Sequence, residues 1–127
     1  GLGGRIRHIF EPEDMLPAAG QGALGIEIRA GRDDLREALA PLAHRDTWRA
    51  VAAERAVSRA MGGSCSMPLA AYAVLVGTSI QMRAAWGDPD GCATLVRAEG
   101  FTQAPDLAGA EALGRQVAGW LRENGAR

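Results

Sequence analysis

The residue of this chain most able to do covalent chemistry is a thiol in an unusual setting. Met61-Gly62-Gly63-Ser64-Cys65-Ser66-Met67-Pro68-Leu69 leaves a helical run, turns through two glycines and enters an apolar stretch at Pro68. Glycine supplies the positive-φ or close-approach backbone such a turn needs. Proline is tolerated where a strand begins, since no ladder bond is lost there. A sulfur displayed on a loop at a helix-to-strand junction can anchor a group covalently, whereas a lone cysteine can equally pack as a small hydrophobe. The loop follows a helix C-terminus, whose negative end disfavours a thiolate. Cys65 is therefore not expected to work as a low-pKa redox or protease-type nucleophile, and no resolving cysteine lies close in the sequence.

The remaining reactive side chains form weaker patterns. Cys92 sits beside the turn Asp88-Pro89-Asp90-Gly91 with no partner motif and reads as structural. His8 and His44 lack metal-ligand spacing with either cysteine, so no metal is expected. Trp48, Trp86 and Trp120 read as core or interface residues rather than a stacking platform. Gly20-Gln21-Gly22-Ala23-Leu24-Gly25 matches G-x-G-x-x-G, but a dinucleotide site needs a strand before the glycines and a helix opening at them. Here a proline-bearing loop precedes and a strand-like run follows, so the motif is rejected.

The bulk properties narrow the classes further. The chain has 127 residues, 47% hydrophobic and 23% charged, enough for one modest core and a short appendage. Net charge is −1, with a pI near 6.1, so no electrostatic footprint points to nucleic acid or an anionic membrane. All fourteen basic residues are arginine, whose two-pronged fork suits carboxylate ligands, although a GC-rich source would give the same bias. Two cysteines make no disulfide framework, and without a signal peptide or long apolar span the default compartment is a reducing cytoplasm. Gly1-Leu2-Gly3-Gly4 reads as the middle of a connection, so the chain is expected to be a fragment.

The elements that must hold Cys65 follow from periodicity. Arg5–Phe10 alternates loosely as a short strand, broken by Glu11-Pro12-Glu13-Asp14. Residues 15–22 are too rich in proline and glycine for regular structure. From Ala23 to Arg29, Leu24, Ile26 and Ile28 alternate with Gly25, Glu27 and Arg29, the pattern of a half-buried strand. Asp33-Asp34 opens a helix through Leu35, Ala38, Leu39 and Leu42, weakened by Pro41. A second helix starts at Asp46-Thr47, runs through Val51, Ala52, Ala56 and Met61, and ends at Gly62-Gly63. Its other face carries Arg45, Arg49, Glu54, Arg55 and Arg59 and is expected to be solvated or to face another domain. Leu69–Val76, Ser79–Trp86 and Ala93–Phe101 are strand-length runs joined by Gly77-Thr78 and by Asp88–Gly91, which implies an antiparallel meander. Pro105-Asp106 opens a helix with Leu113, Val117, Trp120 and Leu121 on one face, ending at Asn124-Gly125. The fold expected is α+β: a three-stranded antiparallel sheet covered by helices over residues 47–127. Residues 1–46, a hinge, strand and helix, belong with something outside this unit.

Three blocks now stand in order: Leu16-Pro17-Ala18-Ala19-Gly20-Gln21-Gly22-Ala23-Leu24-Gly25-Ile26-Glu27, then Ala53-Glu54-Arg55-Ala56, then Gly62-Gly63-Ser64-Cys65-Ser66-Met67-Pro68-Leu69. Together they resemble the C-terminal part of the hydroxymethylbilane synthase, or porphobilinogen deaminase, family, and the similarity continues through Asp88–Gly91 to the end. The resemblance implies a three-domain cytoplasmic transferase of tetrapyrrole (heme) biosynthesis. Such an enzyme joins four porphobilinogen molecules head to tail, releases ammonia at each step, and frees hydroxymethylbilane by hydrolysis. It further implies a dipyrromethane cofactor held by a thioether, and by motif match the anchoring residue is Cys65. The substrate loses ammonia to become an electrophile that a neutral thiol can trap, and thiol exchange does not open a thioether.

By the same resemblance, Pro17–Gly22 is an interdomain crossing, Gln21 and Gly22 line the cofactor and substrate cleft, and residues 23–29 return to another domain's sheet. Hinge geometry is the competing reading of Gln21 and Gly22. The family's catalytic aspartate and most of its acid-gripping basic residues have no counterpart here. No catalytic residue is therefore assigned, and the 127 residues alone are expected to be inactive. The implied partners are porphobilinogen and domains 1 and 2 of the same enzyme, with the full-length form monomeric. The unpaired strand at 23–29 could drive self-association of the fragment. The alternative class is a stand-alone small-ligand-binding or regulatory α+β module without catalysis.

Overall fold

A computed structural model describes residues 1–64, 66–88, 90–103 and 106–127. Cys65, Pro89 and Pro105, which the sequence singles out, lie outside the described residues, so the tether assignment has no structural counterpart here. The order of elements is α1 (Asp33–Leu39), α2 (Arg45–Met61), β1 (Leu69–Val76), β2 (Ser79–Trp86), β3 (Val96–Gln103) and α3 (Leu107–Glu123). Short 3-10 turns cover Gly3–Arg5 and Ala40–Leu42.

The three strands form one antiparallel sheet in the order β1-β2-β3, with Ala71 opposite Ala84 and Met82 opposite Gly100. This is the expected meander, and both longer helices lie on one face of it. Side chains alternate across a strand. Ala71, Ala73, Ile80, Met82, Ala84 and Trp86 turn inward and meet Val57 of α2 and Leu113, Val117 and Leu121 of α3. Ile80, Val57, Val117 and Leu121 are fully buried, and each such side chain stabilises the fold by about 1.5–3 kcal/mol. α2 and α3 approach through small residues. A Cβ on Gly114 would fall 2.2 Å from the Ala53 carbonyl oxygen, so only glycine permits this spacing.

Capping explains where the helices begin and end. α2 starts at Arg45, one residue before the expected acidic start, because the His44 ring accepts from the Thr47 N–H. It stops where Gly62 (φ +123°) and Gly63 (φ +69°) take left-handed conformations and return their N–H groups to the Arg59 and Ser58 carbonyls. Asp106 caps α3 by accepting from the Gly109 N–H at 2.7 Å.

Four expectations need correction. Arg5–Phe10 and Ala23–Arg29 form no strand: they find no ladder partner among the described residues, and Leu24 is 97% exposed. Alternation gives a segment a strand's side-chain pattern, but backbone pairing must come from a neighbour. α1 ends at Leu39, with Pro41 confined to the 3-10 turn that follows, because proline has no N–H to continue the helix. β3 begins at Val96 rather than Ala93, since the Asp88 carboxylate takes the Cys92 and Ala93 N–H groups, each at 2.8 Å. Lastly, Glu54 does not belong to a solvated face; it is 6% exposed. The tryptophans divide: Trp86 is buried and Trp120 packs against the core, while Trp48 is 61% exposed. Cys92 is exposed, its Sγ 3.3 Å from the Asp90 carbonyl within the Asp88 turn.

Candidate functional site

The outer edge of β1 has N–H groups that no strand receives among the described residues. Pro17 and Glu54 cover two of them. The Ala71 N–H donates to the Pro17 carbonyl at 3.1 Å, and the Ala73 N–H donates to Glu54 Oε1 at 2.8 Å. The other oxygen of the same carboxylate accepts from the Gly20 N–H at 2.7 Å. One buried side chain on α2 thus holds both the sheet edge and the Pro17–Gly22 segment. Burial pushes its carboxyl above the ordinary carboxylate value, against the downward pull of the two backbone donors at Ala73 and Gly20.

The segment it holds is a double turn. The Gln21 N–H bonds to the Ala18 carbonyl at 3.0 Å and the Ala23 N–H to the Gly20 carbonyl at 3.1 Å. Gly20 (φ +75°) and Gly22 (φ +83°) occupy backbone conformations that side-chain-bearing residues avoid. Gln21 Oε1 closes the turn by accepting from the Ala18 N–H at 3.0 Å. Gln21 and Gly22 are both exposed at the tip of the turn, between Gly20 and Ala23.

Between this turn and α2 lies a groove of about 400 Å³, within the range of small-ligand sites. Ala19, Gly20 and Ala23 form one wall; Val51, Arg55, Ser58 and Arg59 form the other, and Gly63 closes one end. Gln21 and Gly22 do not line it, although the residues on either side of them do. Arg59 bonds to Glu111 of α3 at 3.2 Å, while Arg55 has no ion-pair partner among the described residues. The groove therefore presents the Arg55 guanidinium, a group whose fork matches a carboxylate. Gly63 leads into the glycine elbow, where Ser64 and Ser66 are exposed and their hydroxyls lie 2.7 Å apart.

A smaller recess of about 250 Å³ lies where residues 12–16 cross the outer face of the sheet. Glu13 bonds Arg83 at 2.7 Å there, which lowers the Glu13 carboxyl, and Arg83 stacks 5.9 Å from the Tyr72 ring centroid. Among the described residues, no three His, Cys, Asp or Glu side chains converge as a metal site.

Glu54 is the functional side chain the helical reading misplaced. A signal was present: Ala50, Ala53, Glu54, Val57 and Met61 follow the spacing i, i+3, i+4, i+7, i+11, which puts the carboxylate inside the buried stripe. Assigning the stripe to Val51 and Ala52 instead turned it outward.

Comparison with known proteins adds a separate finding. Residues 48–123 match the family profile described as porphobilinogen deaminase, C-terminal domain. Residues 1–37 match the one described as porphobilinogen deaminase, dipyromethane cofactor binding domain. The chain is 65% identical over 122 residues to a porphobilinogen deaminase from Albidiferax ferrireducens, covering 96% of this chain and 39% of that protein. It is 55% identical over 126 residues to the enzyme from Paraburkholderia phytofirmans, covering 99% of this chain and 36% of the relative. The Neisseria meningitidis enzyme is 54% identical over 126 residues, with 99% and 39% covered. The chain thus spans little more than a third of the length of these relatives.

Proposed function

The chain belongs to the porphobilinogen deaminase family, and from that premise we propose that it serves as the C-terminal part of a longer transferase of tetrapyrrole biosynthesis. Porphobilinogen is the substrate, four molecules of which are condensed to hydroxymethylbilane with release of ammonia. Residues 1–46 form the interdomain crossing with elements of the preceding domains, and residues 47–127 form the cofactor-anchoring domain. The observation that carries this reading is the groove between the crossing turn and α2, which ends at the glycine elbow bearing Cys65.

The donor set fits a dipyrromethane with acidic side chains. Arg55 offers a charged fork to a carboxylate, and positive-φ Gly20 keeps its part of the groove wall free of a side chain where the guest lies. The cofactor, joined by a thioether to Cys65, supplies the primer on which the pyrrole chain is built. The residues of this chain bind, orient and hold: Arg55 neutralises acidic substituents, and the Gly62-Gly63 turn fixes where the elbow leaves α2. The proton-transferring carboxylate comes from elsewhere in the enzyme, and the 127 residues alone turn over no porphobilinogen.

Intact-mass measurement of the full-length enzyme tests the tether. Wild type carries the added mass of the cofactor, and Cys65→Ser lacks it; equal masses overturn the assignment. Turnover of porphobilinogen by the isolated 127 residues overturns their proposed inactivity.

A further inference from the structure

The two walls of the groove come from different segments, and one buried carboxylate joins them. Val51, Arg55, Ser58 and Arg59 are fixed by α2, whose other face is in the core. Ala19 and Gly20 belong to a turn that is only partly buried, with Ala19 packed against the edge of the core. Its backbone is hydrogen-bonded to the rest of the fold at two points three residues apart: the Pro17 carbonyl accepts from the Ala71 N–H, and the Gly20 N–H donates to Glu54. The first contact lies outside the groove, and the second is made by Gly20, which lines it. Glu54 itself does not line the groove.

We propose that Glu54 is a positioning residue, whose carboxylate clamps Gly20 to the edge of β1 and so sets the width of the groove between the crossing turn and α2. This rests on the reading above that the groove receives the pyrrole chain. Pro17 acts as the pivot, and Glu54 as the catch that stops the turn swinging about it. The geometry needs a carboxylate of this length. Each oxygen accepts one backbone N–H from a separate segment, at 2.7 and 2.8 Å. Glutamine has one acceptor and would turn its amide donors toward the other N–H. Aspartate keeps both acceptors but is one methylene too short to reach both segments. A residue that merely satisfied the sheet edge would need only the Ala73 contact.

The catch is tested first on the 127-residue chain. In the wild type, through-hydrogen-bond NMR couplings should connect the Gly20 and Ala73 amides to the Glu54 carboxyl carbon; absence of the Gly20 coupling overturns the proposal even if every variant fails to fold. In Glu54→Gln and Glu54→Asp, hydrogen exchange at Gly20 should accelerate by about tenfold or more relative to Val57 in α2, as expected for loss of a local closed state. Unchanged protection at Gly20 overturns it too. The functional arm uses the full-length enzyme. Glu54→Gln and Glu54→Asp should raise KM for porphobilinogen by roughly tenfold with kcat changed by less than about threefold, the pattern of weakened binding common to ground and transition states. Unaltered kinetics beside a freed Gly20 overturns the positioning role. A wild-type enzyme that does not consume porphobilinogen fails the functional reading instead, and the coupling and exchange results still decide the catch.

Discussion

Leu24 and Ile80 are comparable apolar side chains in period-two patterns, yet one is 97% exposed and the other fully buried. The difference is typical of their regions. Residues 69–103 supply their own partners: β1 meets β2 across the two-residue Gly77-Thr78 link, β2 meets β3 across residues 87–95, and α2 and α3 cover one face. Residues 1–30 have the same alternation in places, but Leu2, Ile6, Ile9, Phe10 and Ile26 remain at least half exposed. What separates the regions is the availability of a second surface, since apolar burial stabilises only when some neighbour excludes water. The N-terminal region is held to the other by polar contacts at Pro17, Gly20 and Glu13 and by the packing of Ala19 against the core.

Substitutions in the two regions should therefore differ sharply. Gly114→Ala drives a methyl into the Ala53 carbonyl and should cost about 3 kcal/mol or more, seen as a fall in Tm of roughly 10 °C. A loss smaller than about 1 kcal/mol would mean that the helices can separate freely and the core is less tightly packed than described. Glu54→Ala, at the junction, strands the Gly20 and Ala73 N–H groups and should cost about 2 kcal/mol by chemical denaturation. Leu24→Ser should change stability by less than about 0.5 kcal/mol in the 127-residue chain. A large loss there would show that the N-terminal region buries more than its exposure indicates.

Titration sharpens the same contrast. The Glu54 carboxyl is raised in the fold, so the native state binds its proton more tightly than the unfolded chain does. Its contribution to stability is fully present below the ordinary value of 4.5 and is lost as pH rises through the raised value. Denaturation of wild type against Glu54→Gln should reveal this downward slope only in the wild type; parallel curves would refute it. Asp88 behaves oppositely. The N–H groups of Asp90, Ala93 and Cys92 lower its carboxyl, so its contribution is present above 3.8 and declines as pH falls through the lowered value. Asp88→Asn should remove that acid-side decline. The smallest effect belongs to Glu13→Gln: the Glu13–Arg83 pair is solvent-screened, and no change in Tm is expected at physiological salt.

Much of this was written locally. Gly62-Gly63 announced the end of α2, Asp106 the start of α3, and the Gly77-Thr78 and Asp88–Gly91 turns the meander, because turns and caps depend on residues within a few positions of one another. The three family blocks fall on the Pro17–Gly22 turn, on α2 and on the Gly62-Gly63 turn. Asp88 was legible as a turn residue but not as the group that delays β3, since its reach to Ala93 depends on how the intervening chain folds back.

Sequence alone determined the helices, the order of the strands and the kinship, since caps, turns and motifs are short-range patterns. Tertiary structure decided that residues 23–29 find no ladder partner among the described residues, that α2 and α3 touch through Gly114, and that Glu54 faces inward to hold Gly20 and Ala73. The last two facts join positions 19 to 61 residues apart, and a contact of that kind exists only after the chain has brought its surfaces together.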